Sequence, residues 1–376
     1  MSGDAAIQKQ EELFGLNFYV PEFEVYVGGH TWGAKDGRVL KGELKRDVVG
    51  VTYKDSVEDI DSFSLQVCNW DEEKRDFKYM DFKRSPFKIG EEIEIWMGYA
   101  GRLRPMIRGE ITSLDASFPS SGAATLSVGG QNILRKLKKK QETHFYKNMT
   151  DAAIVQQIAG RLRVAKGMIK TGANYEIIKQ DNRYDIVFLM ELARKVGFEV
   201  TVENGRLDYK PSTNAGRKQY TLNWGQSLIS FHPVLSTAKQ VETVRVMGWD
   251  YRTKSPINET SKLKSLDAKG TGNPELNAII DGSVAEREEV IVHKPVRSKQ
   301  EGRVLAKAAH QRVAKDLITG EGMTIGLPDL RAGCRVELMN LGATFTGRYY
   351  LTASTHTIGE GGYTTQFNAR KEEAGT

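Results

Sequence analysis

The sequence predicts a mainly β protein with α+β insertions, built on two related antiparallel β-barrels. Three observations carry this. Short runs of alternating apolar and polar residues, punctuated by glycine turns, fill the first ~140 residues and return after residue ~319. A helical period interrupts them in between. The closing strands of the first region then recur, in register, at the end of the chain.

The elements follow in order. Phe23, Val25 and Val27 alternate with Glu22, Glu24 and Tyr26, and Phe63, Leu65 and Val67 alternate with Ser62, Ser64 and Gln66. Ile93, Ile95 and Met97, then Leu126 and Val128, repeat the pattern, which is that of a sheet with one buried face. Gly28-Gly29, Asp36-Gly37, Gly90, Gly98 and Ser120-Ser121-Gly122 punctuate the runs. Residues 1–140 thus read as a first barrel.

Residues 141–211 read as a small α+β domain. Thr150 caps a helix with Asp151 in its first turn and Ile154, Val155, Ile158 and Leu162 at helical spacing. A second helix starts at Asp185, buries Phe188, Leu189, Leu192, Ala193 and Val196, and stops at Gly197. A hairpin with Asn204-Gly205 at its turn follows. The second barrel is read as discontinuous, over residues 212–250 and 319–372. Its insertion, 251–318, reads as a long exposed loop to about residue 285, marked by Gly270, Gly272 and Pro274, and then a helix. That helix has Ser298 and Glu301 at capping-box spacing, carries Leu305, Ala309, Val313 and Leu317, and is expected to end at Gly320.

The repeat is the most informative feature. Gly90-Glu91-Glu92-Ile93-Glu94-Ile95 matches Gly333-Cys334-Arg335-Val336-Glu337-Leu338 in its Gly, apolar, Glu, apolar order. Gly101-Arg102 and Gly347-Arg348 each open the next strand, and turns at Ser121-Gly122 and Gly361-Gly362 precede the last. Two three-strand meanders of one design sit in one chain. Glu94 and Glu337 occupy matching positions, which read either as solvated strand residues or as ring contacts if barrels pack side by side.

Composition bounds the chemistry. The chain has 376 residues, which at roughly 100–200 per domain predicts two to four domains. Lys and Arg exceed Asp and Glu by 54 − 48 = 6, a mild charge that does not demand a nucleic-acid partner. Cys68 and Cys334 are the only cysteines, too few for a disulfide framework, and read as buried small residues. No apolar run is long enough for a membrane span, and the N-terminal segment lacks the apolar stretch of a secretory leader. His30, His144, His232, His293, His310 and His356 are scattered without metal-ligand spacing. Neither a nucleophile elbow nor a phosphate loop occurs, and Gly270-Thr271-Gly272 is no dinucleotide fingerprint. Acidic neighbours such as Glu91/Glu92 and Glu288/Glu289 point to opposite faces of a strand and make poor hydrolase pairs. The basic cluster Arg135, Lys136, Lys138, Lys139 and Lys140 lacks interleaved aromatics and reads as solvated surface. No catalytic residue, metal or cofactor is therefore expected. Trp96, Tyr99, Trp224, Trp249, Tyr349 and Tyr350 read as core or subunit-contact residues.

The stretch Gly320-Glu321-Gly322-Met323-Thr324-Ile325-Gly326-Leu327-Pro328-Asp329-Leu330-Arg331-Ala332-Gly333 resembles the phage late control D protein family. So do Val336-Glu337-Leu338, Phe345-Thr346-Gly347-Arg348-Tyr349-Tyr350, His356 and Gly361-Gly362-Tyr363. Upstream, residues 153–159, Gln180-Asp181-Asn182, Asp185, Phe188-Leu189 and Gly205-Arg206-Leu207 resemble that family's middle domain. These are baseplate hub proteins of contractile tails, related to the hub part of type VI secretion spike proteins. The resemblance implies a tail-hub fold and a homotrimer whose six barrels form a ring. Such a ring joins a sixfold tail tube to a threefold central spike. It implies Gly326, Pro328, Asp329, Leu330, Gly333, Gly347 and Arg348 as structural motif positions. The implied partners are the tail tube protein, a separate spike protein (no needle repeat follows before Thr376), other baseplate proteins, and a tape-measure protein or cargo in the lumen. The implied place is the baseplate of a virion or injection particle, assembled in the bacterial cytoplasm. Two readings from other classes stand beside it. A cell-wall-degrading tail enzyme would release peptidoglycan fragments, and a DNA-binding regulator would bind duplex DNA with a steep salt dependence.

Overall fold

The structure is a computed structural model and describes residues 20–28, 32–35, 37–81, 83–203, 205–211, 220–262, 274–292 and 296–372. Gly29, His30, Asp36, Asn204, Gly270, Gly272, His293 and the N-terminal segment lie outside the described residues.

Alternating residues make the first β unit. It comprises β1 (Pro21–Val27), β2 (Arg38–Val39), β3 (Val48–Ser56), β4 (Ser62–Cys68), β5 (Trp70–Asp71), β6 (Asp76–Phe77), β7 (Glu92–Tyr99), β8 (Arg102–Ser117) and β9 (Thr125–Asn132). β5 and β6 form a small hairpin; the rest pair antiparallel in the order β3-β4-β9-β8-β7-β1-β2. Val25, Val51, Leu65, Ile95, Met97, Leu126 and Val128 point into one core. At ~25 cal/mol per Å² of apolar surface, burial of such side chains is what holds the sheet curled.

The α+β domain pairs β10 (Gln141–Thr150) with β12 (Asn174–Tyr184), and sets β14 (Arg206–Pro211) between β11 (Lys166–Ile169) and β13 (Phe198–Glu203). The helix Asp151–Arg161 starts where the Thr150 hydroxyl accepts the Ala153 N–H at 3.1 Å. The helix Asp185–Val196 stops at Gly197, which takes the left-handed φ of 73°. Both bury their apolar faces in one core that also holds Leu207 and Tyr209 of β14.

The second β unit holds β15 (Tyr220–Asn223), β16 (Leu228–Leu235), β20 (Ile318–Ile325), β21 (Arg335–Met339), β22 (Gly347–Gly359) and β23 (Gly362–Lys371). Between β16 and β20 come β17 (Thr243–Asp250), β18 (Ser255–Lys262) and β19 (Glu288–Ile291), which form a sheet of their own under the helix Lys299–Lys315.

Three expectations need correction here. β17 was expected in the second barrel, but Val244 and Val246 bury against Leu305 and Ala306 of the inserted helix instead. The stretch expected to be loop carries β18 and the helix Pro274–Val284. β18 escapes pattern reading because only Ile257 is buried along it. The inserted helix ends at Lys315, and β20 runs straight through Gly320. Gly320 and Gly322 are not turn residues: a Cβ there would come within 2.5 Å of the Phe231 ring and 2.4 Å of the Phe367 ring.

The repeat extends well beyond the meanders. The second unit runs β16-β20-β23-β22-β21-β15, and the first runs β3-β4-β9-β8-β7-β1. The two orders match strand for strand. A bulge falls between Val48 and Gly50 of β3, and its counterpart falls between Leu228 and Ser230 of β16. A second bulge falls between Ile111 and Ser113 of β8 and between Leu351 and Ala353 of β22. Gly90 (φ 87°) donates its N–H to Ile111 O at 2.9 Å; Gly333 (φ 84°) donates to Leu351 O at 2.8 Å. One departure stands out: β1 lies antiparallel to β7, whereas β15 lies parallel to β21.

Candidate functional site

The two units share a strand. The start of β22 pairs with β21, from Gly347 opposite Leu338 to Tyr350 opposite Arg335. Past its bulge, β22 pairs with β3, from Ala353 opposite Ser56 to Ile358 opposite Val51. This fuses both units into one thirteen-stranded sheet.

The loop between β20 and β21 lies across this joint. Arg331 reaches from it into the first unit. Its guanidinium donates to Pro105 O at 2.8 Å, Met106 O at 2.9 Å and Tyr53 Oη at 3.0 Å, and sits 4.8 Å from the centre of the Tyr53 ring. Its Nε donates to Pro328 O at 2.9 Å, which curls the loop back on itself. The Ala332 N–H donates to Asp55 at 3.1 Å, and the Ser354 hydroxyl donates to the same carboxylate.

Beneath the loop lies His356, fully buried. Leu330 C=O lies 3.1 Å from Nε2 and can only accept, so Nε2 carries the proton. Nδ1 then accepts from Tyr363 at 3.0 Å or Thr365 at 3.1 Å. Burial first, and the Arg331 charge second, hold the imidazole well below its usual range, so it is neutral. Asp61, beside Asp55, accepts the Asn132 amide at 2.7 Å; burial and the Asp55 carboxylate push its carboxyl well above the usual range.

The structure brings five of the seven motif positions to this joint. Gly326 donates to Tyr363 O at 2.8 Å and accepts from Tyr99 Oη at 2.9 Å, and a Cβ on it would sit 2.0 Å from the Tyr363 ring. Pro328 and Leu330 supply the carbonyls for Arg331 and His356. Asp329 lies 3.8 Å from Arg104 of the first unit and accepts from Tyr220 at 3.4 Å. Gly333 makes the left-handed turn into β21. Gly347 and Arg348 lie apart, at the start of β22, with Arg348 opposite Glu337. Glu94 lies opposite Arg108 in the matching place of the first unit, is buried, and accepts the Gly33 N–H of its own chain at 2.7 Å. Glu337 is half-buried.

Sequence reasoning did not single out Tyr53, Asp55, Asp61 or Asn132. Arg331 carried one usable signal: a lone cation between Leu330 and Ala332, which are both buried. Tyr99, Tyr349 and Tyr350 are buried, while Trp224 and Trp249 are exposed. Cys334 is buried and Cys68 half-buried, and the two form no disulfide with each other. In the basic cluster, Arg135 pairs with Glu110 at 2.5 Å and Lys140 with Glu142 at 3.5 Å. Among the described residues no group of His, Cys, Asp or Glu is placed to hold a metal, and no helix is long and apolar enough to cross a membrane. A satisfied polar network of this kind fixes two bodies in one relative placement.

The fold is that of phage tail proteins. A 43 kDa tail protein of prophage MuSo2 from Shewanella oneidensis matches at a TM-score of 0.69 and 14% identity, covering 93% of this chain and 98% of that one. A tail protein from Neisseria meningitidis MC58 matches at 0.65 and 14% identity, covering 94% and 97%. The E. coli c3393 protein, a type VI secretion component described as structurally similar to the T4 tail proteins gp27 and gp5, matches at 0.57 and 13% identity, covering 87% and 74%. Residues 34–360 match the family model described as the Alg8 N-terminal domain, and the chain belongs to that family. That description differs from the late control D family, which the loop motifs resemble. No curated protein matches the chain by sequence.

Proposed function

We propose that the chain is a structural, non-enzymatic baseplate hub of a contractile tail or a related injection particle. Three copies would present six β units in a ring, placed between a sixfold tail tube and a threefold central spike. Partners are the tube protein, a spike protein and other baseplate proteins, with a tape-measure protein or cargo in the lumen. One observation carries this reading: two β units with the same strand order and two bulges in common, locked side by side by β22 and Arg331. A chain that already contains one unit-to-unit joint would supply, in three copies, three of the six joints of such a ring. The shared fold of the tail proteins supports it, as do the late control D motifs. Glu337, with surface still open, is the ring-contact position retained; Glu94 is covered by its own chain.

The test is mass measurement of the purified chain, alone and mixed with tube and spike proteins from the same gene neighbourhood, followed by negative-stain imaging. Six-lobed rings of three copies are expected. Monomers that never assemble under any of these conditions overturn the hub, and release of peptidoglycan fragments by the chain overturns its non-enzymatic character.

A further inference from the structure

We propose that the outer part of β8 and the free edge of β16 are the two halves of a second strand joint, made between copies of this chain. The inference rests on the ring reading and gives its contact. Its template is the internal joint, where β22 beyond its bulge pairs with β3. The counterpart of β22 is β8, and the counterpart of β3 is β16. Both counterparts have an open edge among the described residues. β16 ends its sheet, and beyond Ile111 β8 pairs with β9 alone.

The internal register carries over directly. It sets Leu114 opposite Leu235, Ala116 opposite Pro233, and Phe118 opposite Phe231. Leu114 and Ala116 already line the rim of the first core, and Phe231 and Leu235 the rim of the second. Cross-strand apolar pairs on one face are what stabilises a ladder. On the other face Asp115 meets Val234 and Ser117 meets His232. Phe118 is 58% exposed and Val234 46% exposed, so both have surface to lose.

The hydrogen-bond phase agrees. Val57 donates its N–H to Thr352 O at 3.0 Å, so by antiparallel alternation the amides of Val51, Tyr53 and Asp55 face β22. Ser236 donates to Leu317 O at 3.0 Å, so the nitrogens of Phe231, Pro233 and Leu235 face away from β20, toward the open edge. Pro233 leaves one donor out of that row. The joint between copies is therefore one bond poorer than the joint within the chain, and the bare edge is a weaker template for unrelated strands. The occupant is a second copy, because both complementary edges stand on one molecule and the internal pairing shows how such edges meet.

The experiment is disulfide trapping in the full chain. Asp115 and Val234 fall at a non-hydrogen-bonded position, where facing Cα atoms lie about 4.5 Å apart, close enough for a bridge. The D115C/V234C variant under mild oxidation should link copies several-fold more than either single variant, which also controls for Cys68 and Cys334. The S113C/V234C variant, slipped by two residues to a spacing of about 7–8 Å, should stay at the single-variant level. Trimers by mass without trapping above the single variants overturn this joint and leave the ring standing. Equal trapping in the slipped variant overturns the register. Efficient trapping in open filaments overturns the closed ring and keeps the joint. Monomers without trapping overturn both.

Discussion

Arg331 spans two β units with one side chain. Its planar fork meets two backbone carbonyls and a phenol of the first unit while its Nε holds its own loop. Lysine keeps the charge but cannot reproduce that fork. Arg331→Lys is expected to lower unfolding stability by about 2 kcal/mol, the scale of lost hydrogen bonds to a charged group, read from urea denaturation. His356 supplies a pH signature. Its folded pKa is depressed below the unfolded value, so its contribution is whole above about pH 6.5 and is lost as pH falls toward the folded pKa. Asp61 acts with the opposite sign, because a carboxyl with a raised folded pKa loses stability as pH rises toward it. Comparing wild type with His356→Gln cancels the Asp61 contribution. Between pH 6.5 and 5 the wild type should lose stability faster than the variant, by up to about 1.4 kcal/mol per pH unit. Parallel slopes in thermal melts would contradict this. From sequence, His356 had no metal-ligand spacing and stood out only through the family resemblance; the fold is what puts it under the Leu330 carbonyl, 26 residues away.

Among the elements, strands with one wet face were legible because their period of two survives in the letters. β4 and β9 are of this kind; β1 and β7 carry the same alternation in their letters, although Tyr26 and Glu94 on the polar face are buried as well. β18 was not, since it places one apolar residue in the core. Glycines misled in one place and informed in another. Gly320 and Gly322 yield room to aromatic rings inside a strand, whereas Gly90 and Gly333 set equivalent left-handed turns. A Cβ at Gly90 would meet nothing closer than 3.9 Å and at Gly333 nothing closer than 3.7 Å, so backbone strain dominates at both. Gly90→Ala and Gly333→Ala should therefore cost alike, about 1 kcal/mol each, seen as equal shifts of the urea midpoint at unchanged slope. A cost at Gly333 several times that at Gly90 would show that the two turns are not equivalent.

At the scale of the whole molecule, the duplication was readable from four matched positions because turn glycines and alternating strands repeat. The joint between the duplicates was not. β3 and β22 meet across some three hundred residues of chain, and neither carries a local mark of its partner. The helical insert between them was readable from caps at Thr150, Gly197 and Ser298, whose hydrogen bonds lie within a few residues.

The shared strand also sets how the molecule carries load. β22 gives its opening residues to one unit and its closing residues to the other, like a scarf joint cut in a single plank. Tension along the strand axis stretches all the rungs between β22 and β3 together, and they yield only by sliding in concert. Tension across it opens the same rungs one after another, at far smaller force. The chain is thus stiff in one direction and compliant in the other, and its orientation in an assembly decides which of the two a pull will find.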